Sequence, residues 1–325
     1  MRGETALEPL LPCRPPWWAR GGHAQTLLGH FLRSESAALP WERLSLVLAD
    51  GDTLNIRLSR GTSGRVVYLF HGLGGSVDRD YMQRAAARFH ALGDTVIAVN
   101  HRGAGEGSGL ARRPYHSGAI EDAASVFALG RGYFPEHRHL AIGYSLSGNI
   151  LLLLLGQDAE GKKTKPDAVL AVNPPVDLDA CSLRMGKGLN LLYDFRFMRL
   201  LRKEVDARWK AGLLENRVDI PALATLRDFD DLYTAPAGGF RDKSDYYERC
   251  SSGPHLASIR LPAIILSAED DPIAPASDIR KFPLSPAVHL HVESCGGHVG
   301  YLTNNVPGRR WLEAALVHYA GVAGN

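Results

Sequence analysis

The residues best suited to chemistry lie at the ends of apolar runs. In Leu140-Ala-Ile-Gly-Tyr-Ser-Leu-Ser-Gly148 a strand-like run stops at Tyr144, Ser145 follows, and a helix-forming run starts at once. A serine on so sharp a strand-to-helix turn is lifted clear of its neighbours, and the turn needs small residues two before and two after it. Gly143 fits. The second position is Ser147, with Gly148 one further on. The N–H of Leu146, at the start of the helix, would face a developing oxyanion. The bland alternative is a serine that merely caps Leu146–Leu155.

Three further segments fit the same chemistry. Val66–Phe70 runs into His71-Gly72-Leu73-Gly74-Gly75-Ser76, a loop placed to give a second oxyanion donor, the N–H of Leu73. His71 would hold that loop. Ala263–Ser267 runs into Glu269-Asp270-Asp271-Pro272, and Val288–Val292 into Gly296-Gly297-His298. The chain order Ser…Asp…His suits a nucleophile, an orienting acid and a base. Asp271, next to the Pro-Ile turn, is the chosen acid and Asp270 the alternative. His298 is the base.

Other readings are weaker. Gly72-x-Gly74 opens a dinucleotide fingerprint, but Val77 stands at its sixth position. Gly103-x-Gly105 fails similarly, at Ser108. Cys295 near His298 lacks a nucleophile's turn. His137/His139 and His289/His291 offer no third ligand, so no metal site is expected. No cofactor is implied.

These residues need a frame. Short strand-like runs alternate with helical patterns from Leu44 onward: a hairpin across Asp50-Gly51 (44–59), then strands at 66–70, 96–99, 140–144, 168–172, 263–267 and 288–292. Helical patterns fall at 80–92, 119–129, 146–155 and 307–319. The alternation predicts an α/β fold with a mainly parallel sheet covered on both faces. It breaks between about Pro174 and Arg260, which reads as a helical insertion. Residues 199–203 read as a solvated basic face.

Composition sets the outer limits. The chain has 325 residues, with Lys+Arg 37 against Asp+Glu 35. A net charge of +2 makes no case for nucleic acid. Four scattered cysteines without a C-x-x-C pair argue against a disulfide framework and for a reducing compartment. Ile150–Leu155 is far short of the roughly 20 residues that span a bilayer, and the N-terminal stretch has no apolar signal core. No integral membrane segment and a cytoplasmic location are expected.

The sequence resembles the α/β-hydrolase superfamily, within it the YheT-like branch that includes EMB8-like and abhydrolase-domain proteins. The segments that carry the likeness are Gly22–Leu27, His71–Ser76, Asn100–Gly103, Tyr115–Gly118, Gly143–Asn149, Phe229–Leu232, Asp245–Tyr247, Asp270–Pro272 and Gly296–Gly300. The resemblance implies the α/β-hydrolase fold: an eight-stranded, mostly parallel sheet flanked by helices, with a helical cap insertion over 175–260. The core would comprise 44–174 and 261–325, with 1–43 an N-terminal extension packed on it. It implies a nucleophile at Ser145, an acid at Asp271 and a base at His298. It also implies a serine hydrolase of medium-chain or lipid-like acyl esters. An alcohol O-acyltransferase with the same triad and a non-catalytic binding module are the alternatives. Ser147 and Gly74 depart from the family's usual glycine and glutamate. The first bears on the serine turn, the second on the loop beside the oxyanion position.

Overall fold

A computed structural model describes residues 10–32, 37–157 and 164–322. The eight expected strands form, most a residue or two longer than their apolar runs: β1 (Glu42–Val47), β2 (Thr53–Ser59), β3 (Arg65–Phe70), β4 (Thr95–Asn100), β5 (Arg138–Tyr144), β6 (Ala168–Val172), β7 (Ala263–Ala268) and β8 (Val288–Glu293). They make one sheet in the order β1-β2-β4-β3-β5-β6-β7-β8. The β1–β2 and β2–β4 pairs are antiparallel and all others parallel. β1 starts at Glu42, two residues before the expected core boundary.

The central strands are buried on both faces, and their side chains alternate between two apolar clusters. Val66, Tyr68 and Phe70 of β3 join one apolar cluster, and Val67 and Leu69 the other. The helices cover these faces. In chain order they are α1 (Gly22–Phe31), α2 (Asp80–Ala91), α3 (Ile120–Tyr133), α4 (Leu146–Gly156), α5 (Leu178–Met185) and α6 (Leu191–Lys210). The short helices α7 (Leu226–Phe229) and α8 (Ala235–Gly238) are joined by a π-helical turn at Asp230–Thr234. Then come α9 (Lys243–Cys250), α10 (Ala276–Ile279) and α11 (Trp311–Val322). The last helix starts later than its sequence pattern, since Gly308 and Arg309 take positive φ (71° and 59°) just before it.

Between β6 and β7 the described residues contain helices and turns and no strand. α5, α9 and the α8 residue Ala235 supply Leu178, Tyr246, Tyr247 and Ala235 against Leu153 of α4. This outer cover explains why every residue of α4 is buried and why its Leu151–Leu155 run needs no polar face. Parts of the expected N-terminal extension (1–9 and 33–36) lie outside the described residues. Among the described residues no helix is long and apolar enough to cross a membrane.

Candidate active site

The turn from β5 into α4 sets Ser145 at φ 52° and ψ −119°, a conformation that L-residues rarely adopt. Its N–H donates to Val172 O at the end of β6 (2.7 Å), which ties the turn to the sheet edge. Gly143 is required: a Cβ there would lie 2.5 Å from the Ser147 carbonyl oxygen. Ser147, the departure from glycine, fits because its hydroxyl has work. It donates to His71 O (2.5 Å) and lies 2.7 Å from His101 Nε2. The extra atoms replace no space the turn needs and clamp it to the neighbouring loop.

That loop is held by neutral histidines. Burial, then the neighbouring His101, keeps the His71 imidazole well below its usual range, and burial lowers His101 to about 4. His71 Nδ1 donates to Gly72 O (2.8 Å), and His71 Nε2 accepts from His101 N (3.2 Å). A trans peptide directs its C=O and N–H oppositely, so anchoring Gly72 O turns the Leu73 N–H away from His71. Tyr81 Oη accepts from Gly72 N (3.1 Å) and Tyr115 Oη from Gly74 N (2.7 Å). A Cβ on Gly72 would meet Ser145 Cβ at 3.2 Å. Among the described residues neither the Leu73 nor the Leu146 N–H has a hydrogen-bond partner. Both stay available beside Ser145.

His298 Nε2 lies 2.8 Å from Ser145 Oγ, and His298 Nδ1 lies 2.8 Å from Asp271 Oδ2. Asp271 is buried. Burial alone would raise its carboxyl, but His298 and the N–H groups of Ala274 (3.0 Å) and Ile273 (2.8 Å) outweigh that and hold it below the usual range. Such a line can take the serine proton at Nε2 while a carboxylate steadies the imidazolium. Asp270 does not reach the imidazole. Its Oδ1 accepts from Gly296 N and Gly297 N, both at 2.9 Å, so it shapes the loop that carries His298.

Two cavities meet at Ser145 and His298. A narrow one, about 90 Å³, runs under the helices between β6 and β7 past Leu146, Met185, Leu201 and Val205. A wide one, about 600 Å³, opens between α1, the start of α2 and α6. Leu73, Phe197 and Ile273 border both.

Residues 67–308 match the alpha/beta hydrolase family. The chain belongs to this family. It is 33% identical over 305 residues to the Escherichia coli protein named "Putative esterase YheT", covering 90% of this chain and 88% of that one. It is 28% identical over 305 residues to human "Phospholipase ABHD3", covering 93% and 71% respectively. Among solved structures, the Pyrococcus furiosus esterase Pf2001 superposes with a TM-score of 0.59 at 16% identity, over 90% of this chain and 97% of that one. That last likeness speaks for the fold. The chain is thus a hydrolase of the YheT-like branch.

As a member of the alpha/beta hydrolase family the chain has one feature that spacing alone does not reveal, the seat of the histidine loop. Asn173, directly after β6 and at φ 48°, donates to Asp271 Oδ2 (2.7 Å) and Gly297 O (3.3 Å) and accepts from Val299 N (3.3 Å). Only its position at the end of an apolar run hinted at this. α1 seats the same loop from outside. Thr26 Oγ1 accepts from His298 N (2.9 Å), and Gln25 bridges Ala19 O and Leu302. The contact is backbone on backbone: a Cβ on Gly22 would lie 1.6 Å from Asp270 O, and one on Gly29 2.5 Å from Gly300 Cα.

The remaining histidines and cysteines have other partners. His139 lies against Tyr68 Oη and Phe134 O, and His291 against Glu293 and Tyr319 Oη. Cys295 Sγ donates to Cys13 O (3.2 Å). The 199–203 stretch is more than a solvated face. Arg202 donates to the carbonyls of Ile220 and Pro221 and pins the loop after α6.

Proposed function

We propose that the chain hydrolyses carboxylic esters through a Ser145–His298–Asp271 triad. The hydrogen-bonded line from Ser145 Oγ to His298 to Asp271, 2.8 Å at each step, carries this reading. Ser145 Oγ bonds to the acyl carbon as its proton passes to His298 Nε2. The carbonyl oxygen becomes an oxyanion beside the N–H groups of Leu73 and Leu146, each such donor being worth about 10²–10³ in rate. Collapse breaks the bond to the alcohol oxygen, which leaves with the proton from His298. Water then repeats the sequence on the acyl-enzyme: His298 takes its proton, the carboxylic acid forms, and Ser145 recovers a proton. Asp271 keeps Nδ1 protonated and steadies the cation.

In this reading residues 175–260 act as a cap and the narrow cavity receives an apolar acyl chain. Its small volume favours short or medium chains over long ones. The named activities of the relatives, esterase and phospholipase, agree with an acyl-ester substrate. The test is a fluorophosphonate probe applied to wild type and Ser145→Ala, with mass spectrometry of the adduct and turnover of aryl butyrate. An adduct on Ser145, absent with turnover from the variant, is expected. Undiminished turnover by Ser145→Ala sinks the reading.

A further inference from the structure

The wide cavity contains two arginines that the triad does not use. Arg79 and Arg196 both border it, together with Ser145 and His298. Neither arginine has a carboxylate within ion-pair distance among the described residues. Each is held by a neutral acceptor instead. Arg79 Nη2 donates to Gly74 O (2.7 Å). Arg196 Nη2 donates to His30 Nε2 (2.5 Å), and its guanidinium lies over the Phe31 ring, 5.4 Å from the centroid. Partial burial first, then the charges of Arg196 and Arg79, brings His30 down to about 4, so the imidazole is neutral and free to accept. Burial, then repulsion from Arg79 and Arg199, lowers Arg196 itself.

The acids nearby do not pair with these arginines. Asp78 is taken by Arg57 at 2.7 Å. Asp80 borders the cavity at the start of α2 but forms no ion pair with either arginine. Two guanidinium groups therefore border one space beside Ser145, each held by a neutral acceptor and neither ion-paired to a carboxylate. Guanidinium is the side chain that best matches the paired oxygens of a phosphate or carboxylate.

We propose that the wide cavity receives the alcohol portion of the ester and that Arg79 and Arg196 select an alcohol carrying an anionic oxygen group. This rests on the Ser145 reading, which assigns the narrow cavity to the acyl chain and leaves the other side of the serine for the leaving group. Phosphate and carboxylate share the required chemistry.

The experiment separates these sources. Wild-type kcat/KM is measured at low salt for butyryl-glycerol 3-phosphate against butyryl-glycerol, and for O-butyryl-lactate against its amide. A preference of about tenfold for the charged member, weakening with salt, is expected. It appears in the phosphate pair, the carboxylate pair or both, according to the source. In Arg196→Gln and Arg79→Gln the ratio of charged to neutral falls toward one. Equal kcat/KM for charged and neutral members in wild type overturns the proposal. A second measurement needs no turnover: calorimetric binding of glycerol 3-phosphate to Ser145→Ala, with and without Arg196→Gln. If no ester is cleaved but this binding is present and weakens about tenfold with Arg196→Gln, the anion site stands and the Ser145 reading falls. If binding is absent as well, both fall.

Discussion

The two cavities that meet at Ser145 differ in what builds them, and one helix belongs to both. Phe197, Leu201, Val205 and Arg208 of α6 follow the three-to-four-residue spacing of one helical face and border the narrow cavity. Tyr193, Arg196 and Leu200 lie on an adjacent face and border the wide one. A single helix can thus divide a site into a narrow, mainly apolar side, where Arg208 is tied to Arg102 O, and a wide side that carries Arg196, because its faces repeat independently. Substitutions on one face should alter the choice of acyl chain, those on the other the choice of alcohol.

The largest effect should ignore this division. Ser145→Ala should lower kcat by about 10⁴ or more on every ester, whatever its acyl or alcohol part. A loss confined to one class of ester would mean that the cavities serve separate chemistries. Gly22→Ala comes next. It lines neither cavity itself but drives a methyl group into the Asp270 backbone, pushing α1 off the histidine loop that it seats. Turnover should fall by about 10²-fold, the usual cost of a misplacement near 1 Å. Circular dichroism should show a folded protein, and the preference between acyl chains, set on the side away from α1, should persist.

Acid titration sharpens the contrast. Glu204, on the wall of the narrow cavity, has its carboxyl raised from 4.5 to about 7, chiefly by burial. The folded state then holds a proton that the unfolded state has lost. Its contribution is complete below pH 4.5 and drains away as pH rises through 7, by about 3 kcal/mol at most. Glu204→Gln should therefore match wild type in urea midpoint at pH 4 and exceed it at pH 8. His101, packed behind the His71–Ser76 loop, acts oppositely. Burial lowers it from 6.5 to about 4, so its contribution is present above 6.5 and lost as pH falls through 4. An unchanged pH profile in Glu204→Gln would show that the carboxyl is ionised in the fold.

The smallest effect should come from the narrow side. Leu201→Ala deepens that cavity. The kcat/KM ratio of octanoate to butyrate esters should rise by roughly threefold to tenfold, the scale of a methylene or two in an apolar pocket. The ratio of charged to neutral alcohols should stay put. Movement of both ratios together would erase the distinction between the two faces of α6.

Much of this arrangement was legible in the chain. Continuous apolar runs marked the central strands, because a strand buried on both faces has no polar side to interrupt it, while alternation about Asp50-Gly51 marked β1 and β2. The small residues around Ser145 and the order of Asp271 and His298 followed from how a strand end must turn. Asp270 and Asp271 could not be separated so easily. Both follow the same strand, and only the course of the chain after it decides which carboxylate faces His298 and which the Gly296 and Gly297 amides. Ser147 read as a departure from pattern because its partners, His71 and His101, come from other strands.

The sequence alone determined the periodicities, hence the sheet, the helices and the turn that exposes Ser145. These are local properties, set by which side chains recur at intervals of two or of three to four and by where only small residues fit. The tertiary structure decided the rest: Asn173 beside Asp271, α1 against the histidine loop, and Arg79 facing the same space as Arg196. Thr26 meets the His298 N–H across 272 residues of chain. Such contacts depend on how whole elements pack, and no spacing within a segment records them.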